Sequence, residues 1–133
     1  MPWKPTILIA EDNADSREML QVMFESRGYR VIAADNGTQA LEVALRDQPD
    51  ALLLDLQLPK LDGLSVTRTL RQHPTFKDVP IIIVSGHDPN RYRQQAIEAG
   101  SDEYMRKPID FDRLQVWLDR MVPREPRALV TSA

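Results

Sequence analysis

Short β-branched or aliphatic runs alternate five times with longer amphipathic ones along this chain, which by period and punctuation is a βα repeat. The runs TILIAE from Thr6, YRVIAA from Tyr29, ALLLD from Ala51 and VPIIIVS from Val79 read as strands, and DEYM from Asp102 as a weaker fifth. Ile81 to Val84 is apolar at every position, the pattern of a parallel strand covered on both faces. Helical stripes lie between them: Met19, Leu20, Met23 and Phe24 in the first, Ala40, Leu41, Ala44 and Leu45 in the second. The third, with Leu64, Thr67 and Leu70, is stopped by His73-Pro74, because a residue before proline disfavours the helical region. The fourth carries Ala96 and Ile97 and closes on Gly100, a left-handed cap, and the fifth holds Leu114, Trp117, Leu118 and Met121. For the first helix, Asp15 with Glu18 offers a variant capping box and Asn13 an equal alternative.

Five strands alternating with five helices predict an α/β fold, a doubly wound five-stranded parallel sheet with right-handed crossovers. Its ligands bind outside the carboxyl ends of the strands. Residues 1–122 read as one domain, and 123–133, with two prolines and no period, as a flexible C-terminal tail. A chain of 133 residues fits one core.

Composition narrows the partners. Lysine plus arginine total 17 against 20 acidic residues, a formal charge of −3, so no basic footprint for nucleic acid exists. There is no cysteine, which excludes thiolate metal sites and fits a reducing, cytoplasmic compartment. No run approaches membrane-spanning length, and the start does not resemble a signal peptide.

The chemistry lies at the predicted strand ends. Glu11 and Asp12 follow the first strand, Asp55 ends the third, Ser85 ends the fourth and Lys107 follows the fifth. In a flavodoxin-like order 2-1-3-4-5 the first and third strands are neighbours, and three carboxylates converge at the switch point. Carboxylates held together repel, so the cluster calls for a cation. With two histidines and no cysteine, the oxygen donors suit Mg²⁺. Adding Lys107 and the Ser85 hydroxyl describes a site for phosphoryl transfer.

From about Thr6 to Met121 the chain resembles the response-regulator receiver domains, CheY-like in fold. The matching segments are ILIAEDN, LLLDLQLPKLDG, IIIVSG and AGSDEYMRKP, in order and spacing. The resemblance implies that Asp55 is the phosphoacceptor for a phosphohistidine on a sensor histidine kinase or a histidine phosphotransfer protein. It implies Mg²⁺ held by Asp12, Asp55 and the Gln57 backbone carbonyl, with Glu11 acting through metal-bound water. Lys107 would pair with Asp55 at rest and with the phosphoryl group afterwards. Ser85 would move to the phosphoryl oxygen and Tyr104 rotate inward behind it, altering a protein-binding surface on the fourth helix, fifth strand and fifth helix. The Lys107-Pro108 bond would be cis, Pro59 and Gly63 would shape the turn after Asp55, and Gln57 and His87 would tune acyl-phosphate lifetime. Homodimerisation is left open.

Each residue also has a plainer role. Glu11 and Asp12 alone could be a solvated strand end and a cap, Ser85 a turn residue, Lys107 a surface lysine and Tyr104 an ordinary strand residue. Their joint register is what favours the receiver reading over these plainer roles. Three arrangements remain: a single-domain regulator, a phosphorelay intermediate, or a receiver belonging to a longer protein. A Mg²⁺-dependent aspartate-nucleophile phosphohydrolase is the rival, but it usually wants a second acid where Gln57 stands. A receiver that never accepts phosphate is disfavoured by the intact set of Asp12, Asp55, Ser85 and Lys107.

Overall fold

The computed structural model describes residues 3–126. Over them, strands β1 (Thr6–Ala10), β2 (Arg30–Ala34), β3 (Ala51–Asp55), β4 (Ile81–Ser85) and β5 (Glu103–Arg106) alternate with helices α1 (Ala14–Ser26), α2 (Gly37–Asp47), α3 (Gly63–Arg71), α4 (Pro89–Ala99) and α5 (Phe111–Met121). The sheet is parallel throughout, in the expected flavodoxin-like order β2-β1-β3-β4-β5.

Alternating strand residues divide the core in two. Leu8, Leu52, Leu54 and Ile83 face a cluster with Ala40, Val66 and Leu70, whereas Ile7, Ile9, Leu53 and Ile82 face Leu20, Phe24, Leu114 and Leu118. Strands β3 and β4 are buried at all five positions, which is why ALLLD and IIIVS show no polar alternation. Each fully buried leucine or isoleucine contributes roughly 1.5–3 kcal/mol, so the central strands anchor the rim that follows them.

Helix starts are set by short polar side chains. Asn13 caps α1, its side chain accepting from the Ser16 amide at 2.9 Å, so the Asp15–Glu18 box is not the cap. The chain enters the helix directly after the acid pair, which leaves Asp15 inside the first turn. Asp88 precedes Pro89 at the start of α4, a position where the missing amide costs no helical bond. Helix α4 ends at Gly100 with φ 109°, as its sequence predicts. Helix α3 ends at Arg71; His73 is extended before Pro74, and residues Pro74–Phe76 form a 3-10 turn that buries Phe76 completely.

The predicted stripes are narrower than the sequence suggests. Helix α1 buries Leu20 and Phe24, four residues apart, and leaves Met19 52% exposed; Ile97 and Met121 also face outward. Trp117 packs partly buried against the α1–α5 cluster. At the amino end of the sheet, the Arg71 guanidinium donates to the carbonyls of Gly100 and Val79 at 2.8 Å each, to that of Phe76, and to Asp102 Oδ2 at 3.0 Å. That carboxylate oxygen also accepts from the Ile81 amide at 2.9 Å. The clasp joins α3, the 3-10 turn, the start of β4 and the link into β5.

No helix among the described residues is long and apolar enough to cross a membrane. Of the expected tail, residues 127–133 lie outside the described residues, and 123–126 belong to no helix or strand.

Candidate functional site

β1 and β3 pair in parallel with Ala10 opposite Leu54, so the residues leaving their carboxyl ends emerge side by side. The Glu11 amide still donates to Ala34 at 3.0 Å, extending the ladder by one residue and keeping Glu11 4% exposed; Asp12 turns out to solvent. Asp55 is 7% exposed at the end of β3. Glu11, Asp12 and Asp55 each place a carboxylate oxygen within 4.8 Å of the others.

Lys107 reaches this cluster from the far side of β4. Its amide donates to the Ser85 carbonyl at 2.7 Å, and its Nζ donates to Asp55 Oδ2 at 2.7 Å and to Glu11 Oε1 at 3.0 Å. The bond to Pro108 is cis. Asp55 Oδ1 accepts from the Gln57 amide at 3.0 Å, while the Gln57 side chain is exposed. One ammonium therefore faces three carboxylates.

Burial pushes the Glu11 carboxyl above its usual 4.5; the adjacent Asp55 carboxylate adds to this and Lys107 opposes it. For Lys107, burial works against the ammonium, but the hydrogen bonds it donates to Asp55 and Glu11 outweigh it and hold the group above the usual 10.5. Lys107 is thus cationic throughout the neutral range. Glu11 Oε2 is buried and has no hydrogen-bond partner among the described residues. A buried oxygen in that condition is costly unless something accepts its lone pairs. The donor set is all carboxylate oxygen, and it has surplus negative charge, so the residues fit a hard divalent cation such as Mg²⁺.

The hydroxyl side of the site is organised through His87. Ser85, 1% exposed, accepts from the His87 amide at 3.0 Å, and the Tyr104 hydroxyl donates to the His87 carbonyl at 3.0 Å. Tyr104 is 2% exposed, so its ring already lies inward. The His87 ring packs against Tyr92 of α4 in a tilted contact, with centroids 5.0 Å apart and planes at 59°. The strand-end reading thus finds Glu11, Asp12, Asp55 and Lys107 together, with Ser85 and Tyr104 joined to each other through the backbone of His87.

Arg17 escaped the sequence reading. Its Nη1 donates to the Glu11 carbonyl at 2.8 Å and the Asp12 carbonyl at 3.4 Å. The available signal was a basic residue in the early turns of α1, where a helix disfavours positive charge.

A doubly wound parallel sheet with acids and a lysine gathered where its strand order reverses defines the class: CheY-like α/β domains. Residues 7–119 match the response regulator receiver domain family, and the chain belongs to it. It is 41% identical over 108 residues to the response regulator MprA of Mycobacterium leprae, covering 81% of this chain and 46% of that protein. It is 42% identical over 106 residues to the transcriptional regulatory protein YxdJ of Bacillus subtilis, covering 80% and 45%. The chain spans about half the length of the curated relatives it matches. Among solved structures, the receiver domain of the sensor histidine kinase PA1611 of Pseudomonas aeruginosa superposes with a TM-score of 0.82 at 36% identity, covering 90% of this chain and 98% of that one. That structure holds a magnesium ion in its active site cleft. The BeF3-activated receiver domain of Klebsiella pneumoniae RstA superposes with a TM-score of 0.81 at 26% identity, covering 87% and 97%. The chain is accordingly a receiver domain of two-component signalling, a family of signalling switches.

Proposed function

We propose that Asp55 accepts a phosphoryl group from a phosphohistidine on a sensor kinase or histidine phosphotransfer protein. The observation that carries this is the buried Asp55, paired with Lys107 at 2.7 Å and flanked by two further carboxylates. An Asp55 carboxylate oxygen attacks phosphorus, the bond from phosphorus to the donor imidazole breaks, and that nitrogen keeps the electron pair. Glu11, Asp12, Asp55 and the Gln57 backbone carbonyl would hold Mg²⁺, whose chemistry is to neutralise charge on phosphoryl oxygens. Lys107 transfers its hydrogen bond from the carboxylate to a phosphoryl oxygen, as a compact cation can without reorganising the backbone.

Ser85 then releases the His87 amide and its hydroxyl donates a hydrogen bond to a phosphoryl oxygen. Because Tyr104 holds the carbonyl of the same residue, a change at Ser85 reaches α4 and β5 through one peptide segment. The output is a population shift in the surface of α4, β5 and α5, where a downstream protein binds. The domain catalyses both its own phosphorylation and, with Gln57 and His87 bordering the site, its own dephosphorylation. Residues 1–122 suffice for this unit.

Incubation with acetyl phosphate and Mg²⁺, followed by intact-mass measurement, tests the reading. Wild type gains one phosphoryl group and Asp55→Asn gains none. An unmodified wild type beside a control receiver that is modified, or the same adduct on Asp55→Asn, refutes it.

A further inference from the structure

Arg17 is half-buried and lies in the early turns of α1. A positive charge there opposes the helix dipole, so α1 itself gains nothing from it electrostatically. Asp12, Asp15 and Glu18 flank it in sequence, yet Arg17 makes no ion pair among the described residues. Instead its Nη1 bridges two neutral carbonyls, and they belong to the two consecutive acids of the cluster, Glu11 at 2.8 Å and Asp12 at 3.4 Å. The other anchors of this link act at its ends, through the Glu11 amide on Ala34 and the Asn13 side chain on Ser16. Between those ends, the peptide planes of Glu11 and Asp12 are held by the guanidinium.

Turning a peptide plane swings the side chains on either side of it. We infer that Arg17 is a positioning residue for the cation site: by fixing these two carbonyls it sets the directions in which the Glu11 and Asp12 carboxylates meet Asp55. The inference rests on the Mg²⁺ reading above. Residues that orient ligands typically govern metal affinity by roughly 10- to 100-fold. Charge alone acts in the opposite sense, because a nearby guanidinium repels Mg²⁺ and its removal tightens binding. Neutralising Arg17 therefore separates the two effects by sign.

The test is calorimetric titration of the whole chain with MgCl₂, comparing wild type, Arg17→Gln and Arg17→Lys. Both variants are expected to bind Mg²⁺ about tenfold more weakly. Their urea midpoints in EDTA stay at the wild-type value, and the amide NMR signals of Asp12 and Asn13 shift in the metal-free protein. A tighter Arg17→Gln with unchanged Arg17→Lys overturns positioning in favour of charge. Unchanged affinity in both, or a weakening matched by loss of metal-free stability, also overturns it. A wild type that binds no Mg²⁺ overturns the metal reading and this inference with it, and so differs from failure of the inference alone.

Discussion

Gly63 opens α3 directly beneath the phosphoacceptor strand, and Gly63→Ala should show how closely the helix is tied to Asp55. A β-carbon at this position would lie 2.4 Å from the Asp55 carbonyl oxygen, 3.1 Å from its carbon and 3.3 Å from the Leu56 Cα. Ordinary contact begins near 3.4 Å, so the helix start must withdraw by about 1 Å. Withdrawal strains the Gly63 amide bond to the Leu56 carbonyl, now 3.0 Å, and loosens Leu64, Val66 and Leu70 in the core. Overpacking costs about 1–3 kcal/mol and the weakened hydrogen bond about 1 kcal/mol. Alanine returns up to about 1 kcal/mol as the better helix former. The net expectation is a loss of about 2–3 kcal/mol, or roughly 6–12 °C in melting temperature for a domain of this size. Urea denaturation followed by circular dichroism in EDTA measures it, with Gly86→Ala as a control because nothing lies within 4 Å of its added carbon. Gly63→Ala as stable as wild type, or more so, would refute the steric account and leave helix propensity as the governing term.

Three further outcomes follow from the site. Lys107→Met removes two charge-assisted hydrogen bonds, each worth about 1.5–3 kcal/mol when buried. Because Lys107 remains one-third exposed, solvent screening reduces the expected loss in EDTA to about 2 kcal/mol, and an unchanged urea midpoint would contradict it. Glu11 binds its proton more tightly in the folded state, so its contribution to stability is complete below about pH 4.5 and is lost as pH rises through its elevated folded value. In EDTA, stability relative to Glu11→Gln should therefore fall with rising pH over that window; a flat or rising difference in paired urea titrations would reject the assignment. Tyr104→Phe deletes the donor to the His87 carbonyl, costs about 1 kcal/mol and accelerates hydrogen exchange at the His87 amide, with unaltered exchange counting against the coupling.

The run of strands and helices, and the side chains that end each strand, were legible because they depend on local signals, whereas the strand order came from the fold the alternation resembles. An aliphatic run ending in Asp55 must deliver that carboxylate to a strand end, and a lysine after the fifth run must stand on the same rim. Gly100 was readable because few other residues adopt its positive φ. Asn13 and Asp15 were not separable, since both side chains can cap and only the entry path of the backbone decides between them. Met19 matched the period of Leu20 and Phe24, but a periodic stripe does not reveal how much of a helix face its neighbours cover. The partners of Arg17 and Arg71 were hidden for another reason. A long guanidinium side chain carries no sequence mark of the carbonyls it will meet, and for Arg71 one of them lies 29 residues away.

The two clusters on opposite faces of the sheet bear on how such a domain diversifies. Leu20, Phe24, Leu114 and Leu118 share no packing cluster with Ala40, Val66 and Leu70. Substitutions within one layer compensate or aggravate each other, whereas changes in opposite layers combine nearly independently. Helices α1 and α5 can therefore be rewritten as a pair while α2, α3 and α4 keep their inherited packing, with the rim between them held constant. Divergence in this chain has two separate ledgers, joined only through the strands that carry Asp55 and Ser85.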